Sequence, residues 1–123
     1  MFKFPVYYVQ GLNGTYHVVQ YGGSVACIPI SSSSPYITSP PAVVRLEQLD
    51  SPGPNLTRQE SPHPHQVVLR EEYNELLVPD LGADMLRRFA ISQDTTSLVA
   101  RDPDTFVKYT LGGGPRHIVL HGE

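Results

Sequence analysis

A six-residue pattern occurs twice in this chain and limits the folds that are compatible with it. Residues 64–69 read PHQVVL and residues 115–120 read PRHIVL, so a proline, a basic residue, a polar residue and three aliphatic residues recur 51 positions later. A second internal match places residues 78–83 on residues 18–23 at an offset of 60, and it continues at an offset of 61 with residues 89–91 on residues 28–30. Repeats of this length indicate an architecture built from equivalent, stacked units.

The segments around these matches have the pattern of short β-strands. Residues 16–20 and 24–30 are rich in β-branched and aromatic residues and flank a glycine-containing turn, which predicts a hairpin. Residues 65–69, 76–80, 85–91 and 97–101 are bounded by turn-forming residues, which predicts four antiparallel strands. Units of four short strands that recur every ~40–50 residues are typical of propeller blades. We therefore predict an all-β fold, a partial β-propeller of antiparallel four-stranded blades.

These patterns also divide the chain into four segments. Residues 1–30 are predicted to be an N-terminal segment with half a blade, and the Ser/Pro-rich residues 31–62 to be a surface insertion with at most one short strand, at residues 43–46. Residues 63–101 are predicted to form one full blade. Residues 102–123 are predicted to be a linker and the first strand of the next blade, at residues 117–121. An alternative stays open for residues 71–77 and 84–90, whose composition also favours short helices.

The composition argues against several classes of function. With 123 residues, 40% hydrophobic and 17% charged, and a net charge of −3, the chain is typical of a soluble globular protein. Basic residues are few and scattered, so we expect no nucleic-acid partner. No apolar run approaches the ~20 residues of a membrane helix, and the first residues lack the apolar core of a signal peptide, so we expect no membrane partner and a cytoplasmic location. The single cysteine, Cys27, lies in a predicted strand, which favours a buried structural thiol over a catalytic one.

Four runs of residues resemble the lactonase family of seven-bladed β-propellers, which includes 6-phosphogluconolactonases and carboxy-cis,cis-muconate cyclases. Three of them, HPHQ from residue 63, VPDLGAD from residue 78 and GPRH from residue 114, occur in the same order as in the family. The fourth, YGGSVA from residue 21, resembles the family's glycine-rich turn but is one glycine shorter. The chain departs from the family at residues 70–74, where an Asp-Pro-x-Gly turn is usual, so we expect a looser hairpin there. Because seven blades need on the order of 300 residues, the resemblance implies a fragment of about two blades.

The resemblance implies a hydrolase that opens a sugar lactone such as 6-phosphoglucono-δ-lactone without a cofactor. Ester hydrolysis needs a base and donors for a developing oxyanion, which histidine and arginine can provide. The positions that match the family's histidine and arginine are His63 or His65 and Arg116, and the family's glutamate is expected beyond Glu123. The expected partner is therefore a small sugar lactone or carboxylate substrate, bound by the complete fold, and we expect little activity from this chain alone.

Two other functions remain open from the sequence. The same family includes enzymes that cycloisomerise a carboxymuconate, and a phosphate pocket or a carboxylate site would distinguish the two substrates. The second alternative is a non-catalytic remnant or interaction module. Because a propeller protects each sheet by packing it between two neighbours, an isolated pair of blades has open edges and faces, through which we expect self-association.

Three further patterns allow a chemical interpretation beside a structural one. Four histidines would suit a metal ion if they converged: His63, His65, His117 and His121. The proline between the first two and the lack of a compact third ligand favour no metal site. The glycines of residues 112–114 could present N–H groups to a phosphate, but a turn is favoured because no Gly-Lys-Ser/Thr sequence follows. Asp80 and Asp84 could be paired carboxylates, but their spacing favours a side-chain-capped turn.

Overall fold

The computed structural model describes the backbone of residues 5–10 and the complete residues 14–48, 52–92 and 97–122. The strands are β1 (Pro5–Gln10), β2 (Thr15–Gln20), β3 (Ser24–Pro29), β4 (Ala42–Arg45), β5 (Val68–Arg70), β6 (Glu75–Asp80), β7 (Met85–Ile91), β8 (Leu98–Ala100) and β9 (Val107–Lys108). Two single 3₁₀ turns lie at Glu71–Tyr73 and Pro103–Thr105. The prediction of an all-β chain is confirmed. Among the described residues, no helix is long and apolar enough to span a membrane.

The first sheet is antiparallel and has the strand order β1-β2-β3-β4. Its central hairpin begins with the pair Thr15–Pro29 and closes with the pair Gln20–Ser24. The prediction of half a blade in this region was wrong, because two further strands flank the hairpin. Strand β1 has the sequence PVYYVQ, a β-branched and aromatic run that was not among the predicted strands. Strand β4 is the one short strand that was expected within the Ser/Pro-rich segment.

The second sheet has the order β5-β6-β7-β8, with the short β9 also paired to β7. The pairing of β6 with β7 runs from Glu75–Ala90 to Asp80–Met85 without a break. The helical alternative was wrong, because the only helical residues in this part of the chain are the 3₁₀ turn between β5 and β6. The β5–β6 connection spans residues 71–74, so it is longer than a tight two-residue turn, as the sequence predicts. Asn74 ends the 3₁₀ turn in the left-handed region, at φ 46°.

The strand predictions were also wrong at two proline-led segments. Regular strand was expected over residues 65–69, but β5 begins only at Val68. Proline has no N–H to donate, and residues 64–67 contact β6 through an isolated bridge, Pro64–Asp80, and a hydrogen bond from the His65 N–H to the Pro79 carbonyl, 3.1 Å. Residues 117–121 form no strand, because no strand of the described ranges pairs with them.

The two internal matches of the sequence correspond to two kinds of structural equivalence. The β2–β3 and β6–β7 hairpins occupy matching positions, and the change of offset from 60 to 61 falls in their turns, which contain three and four residues. The repeated six-residue segments, residues 64–69 and 115–120, differ in secondary structure, but they lie side by side. The Ile118 N–H donates to the Gln66 side-chain oxygen at 2.7 Å, and Arg116 contacts His65. Equivalent segments of neighbouring units are therefore adjacent.

The hydrophobic core lies between the two sheets. The first sheet contributes Val19, Val25 and Cys27, and the second contributes a larger set of buried residues: Val67, Leu76, Val78, Phe89 and Leu98. Leu76 is paired with Phe89, and Val19 with Val25, so each pair lies on one face of its sheet. Cys27 is fully buried in this core and burial raises the pKa of its thiol, which agrees with a structural role. The two sheets therefore pack face to face, as neighbouring blades do.

Candidate active site

The candidate site lies where β6 ends, and the buried Asp80 carboxylate organises it. One carboxylate oxygen of Asp80 accepts hydrogen bonds from the backbone N–H groups of His63, Gly82 and Ala83, at 2.7, 3.0 and 3.2 Å. The other accepts from Arg87 Nε at 2.7 Å, and both side chains are almost completely buried. The negative charge is thus compensated inside the protein, and the carboxylate caps the β6–β7 turn while it holds the His63 backbone against that turn.

Gly82 allows the segment before His63 to approach this turn. A Cβ atom at position 82 would overlap the Ser61 carbonyl oxygen and lie 2.9 Å from the His63 nitrogen. Only a glycine permits the two backbones to be this close. The glycine of the VPDLGAD run therefore fixes the position of the first predicted site segment.

Asp84 positions the second predicted site segment. Its two carboxylate oxygens accept hydrogen bonds from the Gly112 and Gly114 N–H groups, at 2.6 and 2.7 Å. The Gly113 N–H donates to the Thr110 carbonyl at 2.8 Å, which closes a turn. The glycines therefore form a turn whose N–H groups are already occupied, and Asp84 is a capping residue, so the turn interpretation is confirmed for both motifs. Since Arg116 follows this turn by two residues, Asp84 holds the chain that carries it.

His63 is buried and both of its ring nitrogens face oxygen acceptors. Nδ1 lies 2.8 Å from the Tyr21 carbonyl oxygen and Nε2 lies 2.9 Å from Glu60 Oε1. The imidazole also stacks on the Tyr21 ring, with centroids 4.2 Å apart and an angle of 9° between the planes. The Tyr21 carbonyl oxygen can only accept a hydrogen bond, so Nδ1 is the nitrogen that donates to it. Held at both ring nitrogens, the buried His63 links the two sheets.

His65 is in a different electrostatic environment. Its Nε2 lies 2.9 Å from Arg116 Nη2 and 3.2 Å from Arg116 Nε. A guanidinium has no acceptor, so Nε2 accepts and the imidazole is neutral with its proton on Nδ1. Burial, the charge of Arg116 and then that of His117 lower the pKa of His65, and Arg58 adds to this effect. His65 is therefore kept in its neutral form, as a general base must be.

Aromatic rings join these groups into one cluster. The edge of His65 meets the Tyr21 ring at a centroid distance of 6.1 Å and the His117 ring at 5.2 Å. Tyr21 thus lies between His63 and His65. All three predicted residues are brought to one place, and Arg116, which is exposed, offers a cation at its surface.

Three members of the cluster were not among the predicted site residues: Tyr21, Glu60 and His117. Tyr21 belongs to a turn that is equivalent to residues 81–84, so the alignment of the two hairpins could have placed it beside His63. His117 directly follows Arg116, whereas nothing in the local sequence distinguishes Glu60. Within the described ranges there is no group of three His, Cys, Asp or Glu residues placed to hold a metal ion.

Comparison with known proteins agrees with this geometry. Residues 6–123 match the family described as lactonase, 7-bladed beta-propeller. The chain is 41% identical over 64 residues to the "Probable 6-phosphogluconolactonase" of Arthroderma benhamiae, covering 52% of this chain and 15% of that protein. The curated relative is thus much longer than the matched region.

Solved structures extend the likeness to nearly the whole chain. A Bacteroides fragilis protein described as a "putative 6-phosphogluconolactonase" superposes with a TM-score of 0.76 at 26% identity, covering 96% of this chain and 33% of that one. The periplasmic gluconolactonase of Pseudomonas aeruginosa gives a TM-score of 0.69 at 33% identity, covering 94% of this chain and 32% of that one. The chain therefore belongs to the lactonase family of seven-bladed β-propellers, and it corresponds to about a third of the length of its structural relatives.

Proposed function

We propose that this chain supplies part of the active site of a lactonase, with Arg116 and His65 as the groups that contact the substrate. The contact between Arg116 Nη2 and His65 Nε2, 2.9 Å, is the observation that carries this proposal. It joins a cation that can stabilise an oxyanion to a histidine that is neutral at pH 7. The names of the relatives favour 6-phosphogluconolactone as the substrate, because both the fungal and the Bacteroides fragilis proteins bear that assignment.

The reaction needs two proton movements, for which one histidine is sufficient. His65 Nε2 accepts a proton from water as the water oxygen bonds to the lactone carbonyl carbon, and Arg116 donates to the resulting oxyanion. When the ring C–O bond breaks, the same proton passes to the leaving alkoxide, and the product is the open-chain acid. The lowered pKa of His65 makes its imidazolium a ready proton donor in this second step.

The free site holds His65 in an inactive arrangement, because Arg116 occupies the lone pair that the reaction requires. An anionic substituent of the substrate competes with His65 for the guanidinium, which binds phosphate and carboxylate groups through two parallel hydrogen bonds. Substrate binding thus releases Nε2 as it positions the lactone. His63 has a supporting role in this proposal, since it holds the Tyr21 ring against His65.

The experiment compares acid release from freshly prepared 6-phosphogluconolactone with and without protein, corrected for spontaneous hydrolysis. The variant Arg116→Ala should lower the excess rate about 100-fold, the loss typical of one oxyanion donor. Arg45→Ala is the matched control, because Arg45 is an exposed arginine on β4 outside the cluster, and it should leave the rate unchanged.

Because the chain supplies only part of the site, its excess rate should be small. An excess rate that is the same for the wild type and Arg116→Ala would contradict the proposal. Unphosphorylated gluconolactone separates the two roles of Arg116. If the guanidinium binds the phosphate, the wild type should prefer the phosphorylated lactone and Arg116→Ala should lose that preference.

The cytoplasmic location stays a prediction, which fractionation of the source cells would test.

A further inference from the structure

Each of the two sheets has one face in the common core and one outer face. On the outer face of the second sheet, cross-strand pairs place Leu86 with Val107 and Ala90 with Val99. Val99 and Val107 are 60% and 53% exposed. We call this surface, formed by Leu77, Leu86, Ala90, Val99 and Val107, the trailing face. Its apolar, partly exposed character is unusual for a sheet that faces only water.

The outer face of the first sheet has a similar composition. Pairing places Tyr16 with Ile28 and Val18 with Ala26, and Val43 of β4 lies on the same side. Val43 is 55% exposed, and the other four side chains are half-buried. We call the surface of these five residues the leading face.

The equivalence of the two hairpins relates these faces to the core. At an offset of 60, Tyr16 and Val18 of the leading face correspond to Leu76 and Val78, which belong to the core face of the second sheet. At an offset of 61, Ile28 corresponds to Phe89. The leading face is therefore formed by the residues equivalent to those that the second sheet buries against the first.

The trailing face has the complementary relationship. At the same offsets, Val19 and Val25, which the first sheet buries in the core, correspond to Pro79 and Leu86 on the outer side of the second sheet. The outer side of the second sheet, which includes the trailing face, therefore carries the residues equivalent to those that the first sheet buries against the second. At the Glu75 end of this side, the buried Glu75 carboxylate lies 2.7 Å from Arg88 Nε, 3.2 Å from Arg101 Nε and 3.3 Å from Arg70 Nη1, so one carboxylate contacts three arginines there.

From this register we propose that two copies of this chain associate head to tail, with the trailing face of one copy packed on the leading face of the next. The junction repeats the sheet-on-sheet packing that already exists inside each chain. It is a heterologous contact, since the two surfaces differ, and it leaves one leading and one trailing face free at the ends, so that further copies can add. The inference is independent of the proposed lactonase activity, because it uses no residue of the active-site cluster.

The experiment measures the mass of purified chains by light scattering after size exclusion, over a range of concentrations. The wild type should exceed the monomer mass of 13.6 kDa as concentration rises. Val99→Arg blocks the trailing face and Val43→Arg blocks the leading face, and each variant alone should be a monomer, with association at least about tenfold weaker. Leu56→Arg is the control, since Leu56 is 69% exposed in a loop outside both sheets, and it should associate like the wild type.

Mixing the two monomeric variants gives the decisive result. The Val43→Arg copy keeps its trailing face and the Val99→Arg copy keeps its leading face, so an equimolar mixture should form a one-to-one dimer and stop there. An interface between two identical faces would instead leave one of the single variants dimeric. A monomeric wild type, a variant that still associates alone, or a mixture that stays monomeric would each overturn the proposal.

Discussion

The ion pair between Asp80 and Arg87 offers the most direct test of how the site segment is held. Asp80→Asn keeps one side-chain oxygen, which can still accept from the His63, Gly82 and Ala83 N–H groups, but it replaces the oxygen that binds Arg87 Nε with an NH₂ group. Arg87 is 3% exposed, so its charge would be left inside the protein without its carboxylate. Breaking a buried pair in this way costs about 3–5 kcal/mol, a large part of the total stability of ~5–15 kcal/mol of a typical domain.

Urea unfolding followed by far-UV circular dichroism measures this loss. Asp102→Asn is the matched control, because Asp102 is an exposed aspartate that accepts from the Asp104 N–H, and asparagine caps such turns equally well. Its free energy of unfolding should change by less than about 0.5 kcal/mol. The double variant Asp80→Asn/Arg87→Met should be more stable than Asp80→Asn alone, since it removes the uncompensated charge. A double variant that is less stable than Asp80→Asn would refute this explanation.

Three further predictions follow from particular contacts. Burial lowers the pKa of His17 to about 4, so the unfolded chain binds a proton more readily than the folded chain does. The stability that neutral His17 contributes is complete above pH 6.5 and is lost as the pH falls towards 4. His17→Leu should therefore reduce the fall in the urea midpoint between pH 6.5 and pH 4. Gly82→Ala should destabilise the chain by about 1–3 kcal/mol through overlap with the Ser61 carbonyl, whereas Gly122→Ala, which meets no atom within 4 Å, should be neutral in the same unfolding assay. Arg116→Ala should raise the pKa of His65 in an NMR titration, because a neighbouring positive charge is removed, and an unchanged pKa would contradict the contact between them.

The sequence was sufficient for those parts of the fold that depend on local patterns and on register. The hairpins β2–β3 and β6–β7 have strong β-branched and aromatic runs on both sides of a turn, and their offset of 60 to 61 survives in the structure. Strand β1 has the same kind of run, although it was not among the predicted strands. The tail at residues 117–121 has strand propensity, but no strand in the described part of the chain pairs with it, so a local pattern could not decide its state.

The site could be predicted in its residues but not in its contacts. His63, His65 and Arg116 were identified from motifs, and the structure brings them together, yet the motifs do not tell which histidine contacts Arg116. That distinction depends in part on the Tyr21 carbonyl, which lies 42 residues from His63 and fixes its ring. Such long-range contacts have no local signal, because they arise only when the two sheets pack.

The VPDLGAD run explains why a binding site can be assembled between neighbouring units of a repeat. Asp80 holds the segment that leads to His65, and Asp84, four residues later, holds the glycine turn that leads to Arg116. One turn thus fixes two proline-led segments, whose residues His65 and Arg116 are 51 positions apart, and the Arg116–His65 contact is the consequence. Because the carboxylates bind backbone N–H groups, they set the position of these segments without specifying their side chains. Substitutions at positions 65 and 116 can therefore change the chemistry of the site while the scaffold that presents it stays the same.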